Sequence, residues 1–141
     1  MSRENVEIVR RIYGLGSDLL NDSDAVDRAF RDYLDESFEL HTPPEYPEGG
    51  QVYRGRDGSD QFRDMLRQAW SKWLVEPERF LDAGEHVVVL VRIQGAGGAS
   101  GLQIGHSPAH LWTVRGGRAS SMQVFMDPAQ ALEAAGLREG S

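Results

Sequence analysis

Residues 62–81 read FRDMLRQAWSKWLVEPERFL, and the spacing of the apolar residues changes within this stretch. In its first part apolar side chains recur every three or four residues, up to Trp70 and Trp73, as in an amphipathic helix. From Leu74 onward the period is two, which is typical of a half-buried strand. The stretch therefore predicts a long helix that leads directly into a sheet.

The same two periods assign the rest of the chain. The period of two continues downstream and predicts four strands: 74–81, 86–94, 101–114 and 119–126. Upstream, the spacing predicts two helices and one strand: 5–20, 23–33 and 38–41. Asp127 and Pro128 open a short last helix, as an N-cap and a first helical residue. Because helices and antiparallel strands occupy separate parts of the chain, we expect an α+β fold.

Length and composition narrow the class of protein. The 141 residues suit a single domain over 1–141, and 40% hydrophobic residues exclude a disordered chain. With 22 acidic and 15 basic side chains the formal charge is −7, which argues against binding to nucleic acid. There is no cysteine, which excludes thiol nucleophiles and thiolate zinc sites. The sequence contains neither a signal-peptide pattern nor a membrane-length apolar run, so we expect a cytoplasmic protein without a membrane partner.

Six segments, taken in order, resemble a known family. They are ENVEIVRRIY (4–13), FELHTP (38–43), YRGRDG (53–58), FLDAG (80–84), AHLWT (109–113) and the segment 126–137 that begins MDP. Together they resemble the SnoaL-like branch of the nuclear transport factor 2-like superfamily, which includes ketosteroid isomerases, polyketide cyclases and epoxide hydrolases. The resemblance implies a cystatin-like α+β barrel: a curved antiparallel sheet and three main helices forming a cone around a pocket, plus a short C-terminal helix. It also implies a homodimer.

Three residues are candidates for catalysis. Glu39 and His41 are two apart on a predicted strand and share a face, where a carboxylate can orient an imidazole that acts as a general base. The resemblance places this stretch at the pocket, because the superfamily's epoxide hydrolases carry catalytic polar groups there. His110 matches a histidine that faces the ligand in the family's polyketide cyclases. For each residue the alternative is a structural role, at a solvent rim for the pair and within the strand for His110.

Arg92 and Gln94 are candidates for ligand binding. They share one face of the predicted central strand with apolar side chains. An arginine in such a place needs a partner, because an unpaired buried charge costs several kcal/mol, and Glu39 is the candidate. By the resemblance, Arg92 matches an arginine of the epoxide hydrolases, whereas Gln94 replaces their aspartate. A structural Arg92–Glu39 pair is therefore favoured over a catalytic one.

The turn at Gly116 and Gly117 decides what lies beside His110. A two-residue loop places His110 opposite Gln123, whereas a three-residue loop with a bulge at Gly117 places it opposite Met122. We favour the bulge, because family pockets place the last-strand catalytic residue on the face of that histidine. The expected apolar wall of the pocket is Tyr13, Phe30, Trp70, Met122, Val124 and Met126.

Two classes of function remain. By the resemblance, Thr42 replaces an aspartate of the ketosteroid isomerases, and Val124 replaces an aspartate of the cyclases and epoxide hydrolases. The mechanisms of those enzymes therefore do not carry over intact. One function is a cofactor-free and metal-free isomerase, cyclase or hydrolase that uses general acid/base catalysis on a small apolar, ring-sized ligand. The alternative is a noncatalytic ligand-binding or dimeric association module.

The predicted dimer gives a further expectation about the sheet. Its outer face would have to hide apolar side chains, such as Val89, Val91, Leu111 or Phe125. Trp112 has two interpretations, since it could serve the pocket or the dimer contact.

Overall fold

The structure is a computed structural model that describes residues 2–18, 20–46, 49–97 and 103–137. Within these residues lie four helices: α1 (Ser2–Gly14), α2 (Ser23–Asp32), α3 (Gly55–Ala69) and α4 (Pro128–Ala134). The strands are β1 (Leu34–His41), β2 (Val52–Arg54), β3 (Trp70–Ala83), β4 (His86–Gly97), β5 (Gln103–His106), β6 (Ala109–Arg115) and β7 (Arg118–Phe125). The α+β class and its cone-type fold are thus confirmed. No helix of the described part is long and apolar enough to cross a bilayer.

The sheet is mixed rather than wholly antiparallel. Its strand order is β2-β1-β7-β6-β4-β3, and β5 pairs with β4 outside this path. Every pairing is antiparallel except that between β1 and β7, where Leu40 lies beside Met122. A parallel pair needs a long crossover, and here the chain between the two strands supplies α3 and the rest of the sheet. Local periodicity carries no information on such a distant pairing.

The change from helix to strand falls four residues earlier than the sequence predicts. Helix α3 ends at Ala69, and Trp70 already has the extended angles φ −129° and ψ 140°. Trp70 and Trp73 therefore belong to β3, opposite Gly97 and Gly95, and not to the helix. Aromatic residues fit a half-buried sheet surface, and pairing with β4 satisfies their backbone groups. A three-residue spacing is typical of one helix face, but β3 has a register irregularity between Trp70 and Lys72 that brings Trp70 and Trp73 together, so the prediction was wrong.

Pro108 divides the strand that the sequence predicts over 101–114. The described part of that segment forms β5 and β6, which Ser107 and Pro108 separate. Proline has no N–H to donate to a ladder, although its carbonyl accepts a bond of 3.1 Å from the Val91 N–H. The remaining residues of the predicted strand, 101–102, lie outside the described residues.

The register between β6 and β7 differs from both alternatives. The turn is a two-residue loop, and Gly116 and Gly117 have φ +59° and +81°, as its backbone requires. The bulge is not at Gly117 but further along β7, so His110 lies opposite Val124. Relative to the favoured prediction the strands are shifted by two residues. Because side chains alternate with a period of two, Met122 and Val124 still share the face of His110.

The two faces of the sheet have different partners. One face packs against α1, α2 and α3 and carries Val87, Val89, Val91 and Ile93, all at most 2% exposed. The other face packs against α4, whose buried Ala131 joins a smaller cluster with Val88, Ala109 and Leu111. Val89 and Val91 therefore lie in the main core, and the expectation that they form the outer face was wrong. Leu111 and Phe125 do lie on the outer face.

We predict that Gly58→Ala destabilises the fold. A Cβ at this position of α3 would lie 2.6 Å from the carbonyl carbon of Tyr53, which precedes the helix in β2. The gain in helix propensity, up to about 1 kcal/mol, is outweighed by a backbone shift that costs about 1–3 kcal/mol. Urea unfolding measures the change. The control is Gly14→Ala in α1, where nothing lies within 4 Å, and it should be neutral or stabilising. Equal effects of the two substitutions would contradict the close approach.

Candidate functional site

A cavity of about 190 Å³ lies between the first three helices and the inner face of the sheet. Most of its wall is apolar. The apolar side chains include Ile12, Phe30, Phe38, Leu40, Val75 and Met122. Three polar aromatic side chains also line it, Tyr13 from α1 and His110 and Trp112 from β6. His110 and Trp112 are two apart on one strand, so both point to the same side of the sheet. This resolves the two interpretations of Trp112 in favour of the cavity.

A short chain of hydrogen bonds connects these three side chains. The Tyr13 hydroxyl oxygen lies 2.6 Å from Nδ1 of His110, and the Trp112 indole N–H donates to the same oxygen over 2.8 Å. The Tyr13 and His110 rings are nearly parallel, with centroids 6.0 Å apart, whereas Tyr13 meets Trp112 edge-on. Tyr13 therefore joins α1 to β6 across the cavity wall.

Burial keeps both titratable members of the chain uncharged at neutral pH. Burial, and to a smaller extent the charge of His106, lower the pKa of His110 to about 3. Burial also raises the pKa of Tyr13 above its usual range, against the smaller effect of the Trp112 hydrogen bond. Beside β6, the polar lining of the cavity is thus a neutral imidazole next to a neutral phenol.

The predicted wall residues divide between three places. Tyr13, Phe30 and Met122 line the cavity as expected. Val124 lies opposite His110 but packs into the core with 4% exposure, outside the lining residues. Trp70 and Met126 line a second cavity of about 600 Å³ and do not lie beside His110. Their expected place in the pocket of His110 was therefore wrong.

The second cavity lies between α3, β3 and β5 and shares no lining residue with the first. Besides Trp70 and Met126 it is lined by Tyr46, Met65, Trp73 and His106. Burial lowers the pKa of His106, and its buried Nε2 has no hydrogen-bond partner among the described residues. The Trp73 ring packs edge-on against this imidazole at 6.0 Å between centroids.

Glu39 and His41 form the predicted pair, but outside both cavities. The Glu39 carboxylate lies 3.1 Å from His41 Nε2, and its other oxygen accepts a bond of 2.9 Å from Arg54. The Arg54 hydrogen bond, and then that of His41, hold the pKa of Glu39 below its usual value. The cavity side of β1 carries Phe38 and Leu40. The expected convergence of Glu39, His41 and His110 is therefore wrong, and a catalytic role for any of them stays a prediction.

Arg92 and Gln94 lie on the outer face of β4, away from the cavities. Arg92 is exposed and lies opposite Glu76 of β3, so the solvent hydrates its charge. The predicted pair with Glu39 is wrong, because β7 and β6 separate β1 from β4 in the sheet. Neither Arg92 nor Gln94 is among the described lining residues of either cavity. Their expected place at the ligand was therefore wrong as well.

Arg63 also lines the first cavity, although the sequence did not single it out as a site residue. It lies on α3 with 4% exposure, and its guanidinium donates to the Leu20 carbonyl over 3.4 Å. Burial, and then the charge of the neighbouring Arg67, lower its pKa. The available signal was its place on the helix, one residue after Phe62 and three before Leu66, beside the apolar stripe.

Two further observations concern Thr42 and the side chains that could bind a metal ion. Thr42, which replaces an aspartate of the ketosteroid isomerases by the resemblance, is buried, and its hydroxyl accepts a bond of 3.0 Å from the Gln51 N–H. It closes the loop after β1 and does not line the cavity. In the part of the chain that the structure describes, no cluster of three or more His, Asp or Glu side chains could hold a metal ion.

The family model of the SnoaL-like domain matches residues 17–122. The match covers most of the chain and includes the helices, strands and turns that surround the cavity, apart from α1 and the end of β7. The chain belongs to the SnoaL-like domain family. The resemblance found in the sequence is confirmed.

Solved structures share this fold. A candidate SnoaL-like polyketide cyclase from Jannaschia sp. CCS1 is 22% identical, with 89% of this chain and 86% of that one covered and a TM-score of 0.70. TerC, co-crystallised with polyporic acid, is 20% identical, with 94% of this chain and 98% of TerC covered and a TM-score of 0.71. The third is a protein with a ketosteroid isomerase-like fold from Catenulispora acidiphila DSM 44928, in complex with trimethylamine. It is 16% identical, with 84% of this chain and 86% of that one covered and a TM-score of 0.63. At these identities the likeness shows the fold alone. No curated protein matches the chain.

We predict that Tyr13→Phe lowers the free energy of unfolding by about 1–3 kcal/mol, the cost of unpaired buried polar groups. The substitution leaves Nδ1 of His110 and the Trp112 N–H without their partner. Urea unfolding at neutral pH measures the loss. Tyr33→Phe, which removes a hydroxyl outside the cavity lining, is the control and should change the value by less than about 0.5 kcal/mol. Equal losses would contradict the buried hydrogen-bond chain.

A second prediction concerns pH. Because the pKa of His110 is about 3 in the folded protein and 6.5 ordinarily, the unfolded chain binds an extra proton between these values. Stability should therefore fall as the pH is lowered through this window, by up to about 1.4 kcal/mol per pH unit from this group. His110→Gln removes the contribution, while every carboxylate still titrates. The measurement is the difference in unfolding free energy between the two proteins from pH 7 to pH 4, and parallel curves would refute the low pKa.

Proposed function

We propose that the chain binds a small, apolar, ring-sized molecule in the cavity beside His110. The observation that supports this most strongly is the combination of an apolar wall with a few buried polar groups, since ligand sites are typically apolar with few polar contacts. Its volume of about 190 Å³ exceeds the roughly 150 Å³ of an apolar cavity that accepts benzene. One ring with a short substituent is the size that fits.

The polar groups favour an uncharged ligand. Both His110 and Tyr13 are neutral at neutral pH because burial shifts the pKa of each. A charged ligand group beside them would lose its hydration without gaining an opposite charge there. Asp18 and Asp22 line the cavity elsewhere, and their carboxylates already accept bonds from Asn21 and the Ala25 N–H. Arg63 also lines it, and its guanidinium donates to the Leu20 carbonyl.

Binding without catalysis is the function that these properties support best. An imidazole with a pKa of about 3 is a weak base, and the raised pKa of Tyr13 makes its hydroxyl a weak acid. Cofactor-free isomerase, cyclase or hydrolase activity is the second candidate, and two observations favour it: membership of the SnoaL-like family and the place of His110 in the cavity wall. Both candidates need the cavity, and only the second forms a product.

The test is to fill the cavity. Val26 lies on α2, is half-buried and lines the cavity, so Val26→Phe should occupy its space. With acetophenone as the probe, we expect binding in calorimetry to weaken at least about tenfold, since the ring loses its apolar contacts. Val52→Phe is the matched control, because Val52 is 44% exposed and lies outside the cavity.

Unchanged binding in Val26→Phe, or no binding of acetophenone and other single-ring ketones to the wild type, would overturn the proposal. Mass spectrometry of the same mixtures separates the two candidates, because a new product would favour the enzyme.

The homodimer implied by the resemblance stays a prediction that sedimentation velocity can test. If the contact uses the outer face of the sheet, it must adjoin α4, which already packs there through Ala131 and Leu132. Of the expected contact residues, Leu111 and Phe125 are on this face. A monomer at high protein concentration would count against the dimer.

A further inference from the structure

We propose that the hydrogen-bond chain from Trp112 through Tyr13 holds His110 in the tautomer with its proton on Nε2. The cavity then prefers ligands with a hydrogen-bond acceptor, such as a ketone or ester oxygen, over ligands of the same shape that lack one. The preference for acceptors rests on the proposed function, whereas the tautomer does not. The geometry that carries both is a phenol oxygen held between an indole N–H and an imidazole nitrogen.

The donor and acceptor roles in this chain of hydrogen bonds are fixed first at Trp112. An indole N–H is a donor only, so the Tyr13 oxygen must accept the bond of 2.8 Å. That oxygen carries one proton of its own, and its second close contact is Nδ1 of His110 at 2.6 Å. The proton between Tyr13 and His110 belongs to one of these two atoms.

One of the two arrangements leaves fewer polar groups without a partner. If Nδ1 carried the proton, the Tyr13 oxygen would accept two bonds, and its own hydroxyl proton would have no acceptor in the described part of the chain. A buried hydroxyl that donates to nothing is strongly disfavoured. If Tyr13 donates to Nδ1 instead, the indole, the phenol and Nδ1 are all satisfied. The hydroxyl therefore donates to His110.

Neutrality completes the assignment of the tautomer. Burial lowers the pKa of the imidazole and raises that of the phenol, so neither an imidazolium nor a phenolate is present at neutral pH. A neutral imidazole carries one proton, and because Nδ1 accepts, the proton is on Nε2. The tautomer follows from the bonding partners and does not depend on any ligand.

The Nε2–H group is available to donate a hydrogen bond to a ligand in the cavity. The neighbours of His110 across the sheet are Val89 and Val124, whose side chains contain no acceptor. Among the described residues the ring has no hydrogen bond besides that to Tyr13, and its side chain lines the cavity. A ligand oxygen would satisfy this donor, whereas a hydrocarbon of equal shape would leave it unpaired. Sites of this kind reject the analogue that lacks the partner.

The first measurement concerns the tautomer alone. Two-bond proton–nitrogen correlation spectra of the uniformly ¹⁵N-labelled wild-type protein, with the His110 signals identified by their loss in His110→Gln, show which nitrogen is protonated. We expect the proton on Nε2 between pH 6 and 8. A proton on Nδ1, or rapid averaging between the two nitrogens, would overturn the proposal whatever binds.

The second measurement uses two probes of nearly equal shape, acetophenone and α-methylstyrene, in which a methylene group replaces the carbonyl oxygen. We expect acetophenone to bind about 10-fold to 100-fold more tightly, by calorimetry or by NMR titration. In Tyr13→Phe the ratio should fall toward one, because nothing then holds Nδ1 as an acceptor. His86→Gln, which changes a histidine outside the cavity, should keep the wild-type ratio.

The outcomes separate this proposal from the proposed function. Equal binding of the two probes to a wild type with the proton on Nε2 would overturn the preference for acceptors while the ligand site stands. If neither probe binds, the proposed function fails and the preference fails with it, whereas the tautomer is judged by its spectrum. A ratio above tenfold that Tyr13→Phe abolishes and His86→Gln preserves would support both parts.

Discussion

The hydroxyl of Tyr13 is the point on which the cavity depends. It lies on the first helix, yet both of its partners are on β6, 97 and 99 residues further along the chain. Because a buried phenol must keep its hydrogen bonds, it fixes the distance between α1 and the sheet beside the cavity. The same burial shifts the pKa of Tyr13 and of His110 in the directions that leave both uncharged.

The alternation of side chains along the strands could be read from the sequence. It was not used fully to decide which set of side chains in each strand faces the helices. Glu39 and His41 do share a face, as their spacing requires, and so do Arg92 and Gln94. In each strand the more apolar set turns toward the helices: Phe38 with Leu40 in β1, and Val87, Val89, Val91 and Ile93 in β4. Comparing the two sets would have placed all four polar residues outside the cavity. The resemblance favoured the pocket for Glu39 and His41, and burial decided otherwise.

Other features could not be predicted, because their causes are distant in the chain. The parallel pairing of β1 with β7 depends on the whole segment between them, and the start of β3 at Trp70 depends on its partner Gly97. The place of His110 was predicted for a different reason. Its register was wrong by two residues, an even shift, which changes the neighbour across the sheet but not the face. The resemblance supplied the face, and the period of two preserved it.

The residue opposite His110 contributes to the neutrality of its imidazole. By the resemblance, cyclases and epoxide hydrolases have an aspartate where this chain has Val124, and the register puts Val124 directly opposite His110. A carboxylate there would favour the imidazolium and raise the pKa of the histidine. With valine, 4% exposed, the imidazole has only apolar neighbours across the sheet, so burial, with a smaller effect from His106, keeps it uncharged. With valine at this position, His110 is a neutral group at neutral pH. Such a group can recognise a ligand oxygen without taking its proton.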